Sequence, residues 1–121
     1  MTETAEFPLP ADVTDEERAT LRREIGRYTR ILAEEPGAIR FEGRWLGQTG
    51  PVWHVQYARI YALPEGYLLA AHDLREGMKV GFAREPERLL DAVEHPAVRE
   101  FLEDELRFRK VIGDGHGPER S

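Results

Sequence analysis

His54, Tyr57, Arg59, His72 and Asp73 are the side chains of this sequence best suited to chemistry, and they fall within one stretch in the middle of the chain. Histidine is the side chain whose ordinary pKa lets it exchange a proton near neutral pH, so His54 and His72, with Tyr57 beside them, are the candidate acid–base groups. An ordinary structural role, as hydrogen-bonded half-buried histidines, is the competing reading. Tyr57 is predicted opposite Asp73 on the neighbouring strand, with Arg59 diagonal to it. That set makes either an ion pair with a tyrosine contact or a catalytic carboxylate held by an arginine. His95, before a proline, and His116, near the C-terminus, read as structural or solvent-exposed. The missing residue types narrow the chemistry further. Cysteine is absent and the sole serine is Ser121, which excludes thiolate chemistry and disulfides and effectively excludes a serine nucleophile. No Gly-rich phosphate loop, nucleophile elbow or helical pair of metal-spaced histidines occurs, so no metal and no cofactor is expected.

The elements that must position these groups begin at Ile39, where the apolar period becomes two. The alternation predicts strands over 39–47, 52–63, 67–73 and 78–83, joined by turns at Gln48-Thr49-Gly50-Pro51, Pro64-Glu65-Gly66 and Arg75-Glu76-Gly77. The latter two turns place glycine where a short hairpin needs a positive φ. With Pro64-Glu65-Gly66 as a three-residue loop, Leu63 faces Tyr67, Ala58 faces His72 and Leu74 faces Met78. One face then collects Ala58, Ile60, Ala62, Leu68, Ala70, Leu74, Met78, Val80 and Phe82 as the core. His54 and His72 point the same way, about 13 Å apart along the strand at roughly 3.3 Å per residue, too far to share a metal. The opposite face carries Trp53, Tyr57, Arg59, Tyr61, Tyr67 and Asp73. A one-residue slip would exchange the faces.

Helices flank this block. Thr14-Asp15-Glu16-Glu17 fits a capping box, and Leu21, Ile25, Tyr28 and Leu32 form one stripe of a helix ending near Glu35, before Pro36-Gly37. Arg23, Arg27 and Arg30 lie opposite that stripe. Pro86 opens a short helix with Leu89, Leu90 and Val93, and a second runs over 97–111 with Val98, Phe101, Leu102 and Leu106 inward. Glu103 with Arg107, and Glu105 with Arg109, support it as charge pairs. The resulting expectation is an α+β domain over 14–112: an N-terminal helix, a four-stranded antiparallel meander, and one or two C-terminal helices packed on the core face. Residues 1–13 read as a flexible arm and 113–121 as a flexible tail.

The bulk composition bounds the function. With 121 residues, 40% apolar and 33% charged, the chain has room for one core. The acidic N-terminal residues and the lack of a long apolar run suggest a cytoplasmic protein with no membrane segment. A net charge of −6 disfavours nucleic acid as a partner. Lys79 and Lys110 are the only lysines and asparagine is absent, a bias that fits a GC-rich coding background.

Arg40-Phe41-Glu42-Gly43-Arg44-Trp45-Leu46-Gly47 and Glu100-Phe101-Leu102-Glu103-Asp104 resemble, respectively, a strand pattern and the closing motif of the EXLDI family of small, largely actinobacterial proteins. Glu103 and Asp104 depart from the family's Asp and Ile. The resemblance implies an architecture and transfers no active residue. Function therefore rests on the two sheet faces. The first expectation is a non-enzymatic protein-interaction or regulatory protein that self-associates through Trp53, Tyr57, Arg59, Tyr61, Tyr67 and Asp73, because Trp, Tyr and Arg dominate interface hot spots. Cover of that face by the chain's own elements is the bland alternative. The second functional expectation is a small enzyme or ligand-binding protein with a pocket between sheet and helices, acting on a small molecule through His54, His72 and Tyr57.

Overall fold

The computed structural model describes residues 3–51, 54–93 and 96–108. Its strands are β1 (Thr4–Pro8), β2 (Ile31–Glu35), β3 (Ala38–Glu42), β4 (Arg44–Thr49), β5 (Val55–Leu63), β6 (Gly66–Asp73) and β7 (Gly77–Ala83). The helices are α1 (Asp15–Gly26), α2 (Pro86–Leu89) and α3 (Pro96–Phe108), with a single 3-10 turn at Leu90–Ala92. Among the described residues the strands form two antiparallel sheets, of order β1-β3-β2 and β4-β5-β6-β7. The class is α+β, and a four-stranded meander is present whose first strand is β4 (Arg44–Thr49) rather than the expected 39–47. It has a second sheet beside it.

That second sheet comes from segments the sequence pattern assigned elsewhere. Residues 4–8, read as part of a flexible arm, pair along β3 from Thr4 opposite Glu42 to Pro8 opposite Ala38, and Phe7 is wholly buried. α1 begins at its capping box, with the Glu17 amide donating to Thr14 Oγ1 and the Thr14 amide to Glu17 Oε1, each at 3.0 Å. It ends at Gly26 rather than Glu35. Glycine weakens a helix, and beyond it Thr29 Oγ1 donates to the Glu42 carbonyl and the Glu42 amide to that of Arg30, which draws Ile31–Glu35 onto β3. Pro36-Gly37 is thus a hairpin turn rather than a helix stop. Of the predicted helical stripe, Leu21 and Ile25 are buried, whereas Tyr28 stacks on Phe82 beyond the helix with ring centroids 4.4 Å apart.

The predicted first strand, 39–47, is two strands in different sheets, and the chain crosses between them at Gly43. The β5–β6 hairpin also departs from expectation. Leu63 pairs with Gly66 rather than Tyr67, leaving a two-residue loop. The single-residue difference moves β6 and β7 to the other face relative to β5. Tyr61, Leu68 and Phe82 now share one face, and Ile60, Leu69 and Gly81 the other. Gly77 adopts φ 85°, as a hairpin glycine should. Gly66 is needed for space instead, since a Cβ there would lie 2.6 Å from the Phe82 ring and 2.7 Å from the Ala83 carbonyl.

Both faces of the meander are consequently buried. On one, Tyr61, Leu63, Leu68 and Ala70 pack with Phe7, Ile39 and Phe41 of the three-stranded sheet and with Leu21 and Ile25 of α1. On the other, Ala58, Ile60 and Leu69 pack with Leu89, Leu90, Val98, Leu102 and Leu106 of the C-terminal helices. Phe101 does not point inward as expected but is 56% exposed. The Glu103 and Arg107 pair forms at 2.7 Å, while Arg109 and the predicted tail lie outside the described residues. Among the described residues no helix is long and apolar enough to cross a membrane.

Candidate ligand-binding site

Small side chains create a cavity between the meander and the C-terminal helices. On the helix-facing side of the meander, cross-strand rows run Val55, Asp73, Gly77; then Ala58, Ala71, Lys79; then Ile60, Leu69, Gly81. Ala58, Ala71 and Gly81 leave unfilled the space that larger residues would occupy beneath α3. A cavity of about 730 Å³ results, with Val55, Ala58, Leu69 and Ala71 as its floor and Val93, Pro96, Val98 and Leu102 as its wall. His54, Asp73, Arg75, Glu76 and Lys79 line its polar part, and it extends past β7 to Thr20 and Glu24 of α1. An apolar interior with a few convergent polar groups is the usual make-up of a small-molecule site.

A β-bulge sets the polar part. Val55 pairs with Asp73 and Tyr57 with His72, so the register shifts between Val55 and Tyr57. Such a shift re-aims the side chains around it. His54 Nε2 lies 3.3 Å from Asp73 Oδ2, and the His54 carbonyl accepts from the Leu74 amide at 2.7 Å. Asp73 is itself fixed by the hairpin turn, its Oδ1 accepting from the amides of Arg75 at 2.7 Å and Glu76 at 3.0 Å. Burial by itself would raise the Asp73 carboxyl. The two amide donors, with His54 and Lys79 nearby, outweigh it and hold the group below the usual carboxylate range. Lys79 Nζ stands 2.5 Å from Glu76 Oε1.

The other predicted site residues are dispersed. His72 lies on the opposite face from the cavity, its ring 5.7 Å from that of Tyr57, and its buried Nδ1 has no hydrogen-bond partner among the described residues. Tyr57 donates to the Pro8 carbonyl at 2.6 Å and Tyr61 to the Glu6 carbonyl at 2.7 Å. Burial pushes both phenols up, Tyr61 the further. Arg59 donates to Gln48 Oε1 at 2.6 Å and the Glu6 carbonyl at 3.1 Å, and sits over the Trp45 ring at 5.8 Å. Its hydrogen bonds therefore go to β1 and β4, not to Asp73. Tyr67 packs on the helix side of the meander, and Trp53 lies outside the described residues. The aromatic face expected to be open is thus covered by β1, and Tyr61 on it is fully buried.

Of the predicted residues that the structure describes, then, only His54 and Asp73 meet at the cavity. Arg75, Glu76, Lys79 and the small floor residues were not anticipated as a site. Asp73 had a readable signal, since an aspartate opening a turn accepts amides two and three residues on. No family model, curated protein or solved structure matches this chain.

Proposed function

We propose that this protein binds a small amphipathic molecule in the cavity between the meander and the C-terminal helices. The apolar part of the ligand lies over Ala58, Leu69 and Ala71, and its polar end meets His54 and Asp73. The observation that carries this reading is a cavity of about 730 Å³ with an apolar floor and an anchored His54–Asp73 pair on its lining. Asp73 is held by two backbone donors, so it orients the imidazole beside it.

Binding is testable with anilinonaphthalene sulfonate, a fluorescent probe with an apolar body and one anionic end, in the presence of a chelator. Saturable one-to-one binding is expected for the wild-type chain, with loss in Ala71→Leu, which fills the floor. Absence of saturable binding, or binding unchanged by Ala71→Leu, would refute the reading.

A protein-interaction role has to use side chains other than the covered aromatic face. Its present basis is Phe101 and Phe108 of α3, 56% and 82% exposed. They are seven residues apart and therefore on one side of the helix.

A further inference from the structure

His54, Asp73 and Glu76 each offer one ligand atom, and these atoms all lie within 4.8 Å of one another. The three residues come from two places in the chain. His54 precedes β5, while Asp73 and Glu76 frame the β6–β7 turn. Two further features suit the cluster to holding an ion. The first is the spacing of its best-fixed members, since His54 Nε2 and Asp73 Oδ2 are 3.3 Å apart. That exceeds the roughly 2.7–2.9 Å of a charge-assisted hydrogen bond. It matches the edge of about 3.4 Å between two ligands of a tetrahedral ion bound at about 2.0–2.1 Å. The second is location, because all three residues line the cavity. An ion held there has protein ligands on one side and a coordination position toward the cavity.

We propose that His54 Nε2, Asp73 Oδ2 and the Glu76 carboxylate bind a divalent transition-metal ion of the zinc class. The donor set of one imidazole and two carboxylates suits zinc better than magnesium or calcium, which take oxygen ligands. The amides of Arg75 and Glu76 serve as outer partners, fixing the aspartate by its other oxygen. The Lys79 ammonium stands 2.5 Å from Glu76. Glu76 must turn from Lys79 toward the ion, a rotation that its half-exposed side chain allows. A bound ion would supply a Lewis acid at the polar end of the cavity. The site deepens the reading of this cavity and rests on it, so the test uses the metal alone and no organic ligand.

The experiment is calorimetric titration of the full chain with Zn²⁺, and separately with Mg²⁺, comparing wild type, His54→Gln, Glu76→Gln and His72→Gln. Asp73 is left intact because it holds the turn together. Wild type should bind one zinc ion in preference to magnesium. His54→Gln and Glu76→Gln should each weaken binding by about tenfold or more, with His72→Gln unchanged. No saturable zinc binding up to millimolar concentration would overturn the proposal. So would an affinity unaffected in either His54→Gln or Glu76→Gln, which would place the ion on other residues. Absence of zinc binding in wild type together with saturable anilinonaphthalene sulfonate binding would remove the metal site and leave the cavity reading standing.

Discussion

Asp73 does two jobs, since Oδ1 closes the β6–β7 turn and Oδ2 faces His54. Its depressed pKa links the first job to pH. A carboxyl whose folded pKa lies below its unfolded value stabilises the fold above the unfolded pKa, and that contribution is lost as pH falls through the folded one. Asp73→Asn keeps an acceptor for the two amides but loses the charge beside His54 and Lys79. We expect the variant to be less stable than wild type at neutral pH in urea unfolding. The gap should close as pH is lowered below the ordinary carboxylate range, about pH 4. A gap independent of pH would show that the charge contributes nothing. At this scale His54, Asp73 and Tyr57 were identifiable from residue type, but their partners were not. Tyr57 was expected opposite Asp73 and instead sits opposite His72, because the hairpin loop after Leu63 is one residue shorter than expected and the strand alternation does not reveal loop length.

At the scale of elements, β1 has the largest consequence. Its pairing with β3 completes the three-stranded sheet, and its Glu6 and Pro8 carbonyls take the hydroxyls of Tyr61 and Tyr57. Phe7 is wholly buried in that core. Phe7→Ala is therefore expected to destabilise the protein by roughly 3–5 kcal/mol, the usual loss for a buried phenylalanine. A flexible arm would give a change within about 0.5 kcal/mol, and chemical denaturation separates the two. The segment's strand character was hard to read because only Ala5, Phe7 and Leu9 alternate, with prolines at 8 and 10 interrupting them. Five residues gain a stable conformation from their neighbour β3, not from local preference. The strand Ile31–Glu35 was hidden for a related reason. Ile31 and Leu32 continue the helical spacing of Leu21, Ile25 and Tyr28, and only pairing with β3 decides against the helix.

For the whole molecule, the meander serves as a shared wall. One face supports a core with the three-stranded sheet and α1, and the other a core with the C-terminal helices. The second core is incompletely filled over Ala58, Ala71 and Gly81, and there the cavity opens. A void in a fold represents apolar contact not made, so a cavity kept for binding trades stability for function. Ala71→Leu should hold or raise the melting temperature in calorimetry, since each added buried methylene contributes about 0.8 kcal/mol where it fits. A strongly lowered melting temperature would mean that the space under α3 closes in solution. Together with loss of probe binding, retained stability would separate a binding defect from a folding defect.

Sequence alone determined the class and much of the local structure: the capping box that starts α1, the meander over β5 to β7, the proline that opens α2 and the helix running into Leu106. These rest on interactions among residues close in the chain, so their patterns are local. Tertiary structure decided the rest. Which face of β6 meets the helices turns on one residue of loop length between Leu63 and Gly66, and both faces of that strand are apolar enough to be buried. Covering of the tyrosines depended on a strand almost fifty positions away, as the hydrogen bond from Tyr57 to Pro8 spans |i−j| = 49. The cavity is likewise non-local, formed where short side chains from three strands face one helix. Side-chain types named the groups able to do chemistry, and only long-range packing brought His54 and Asp73 together at an opening.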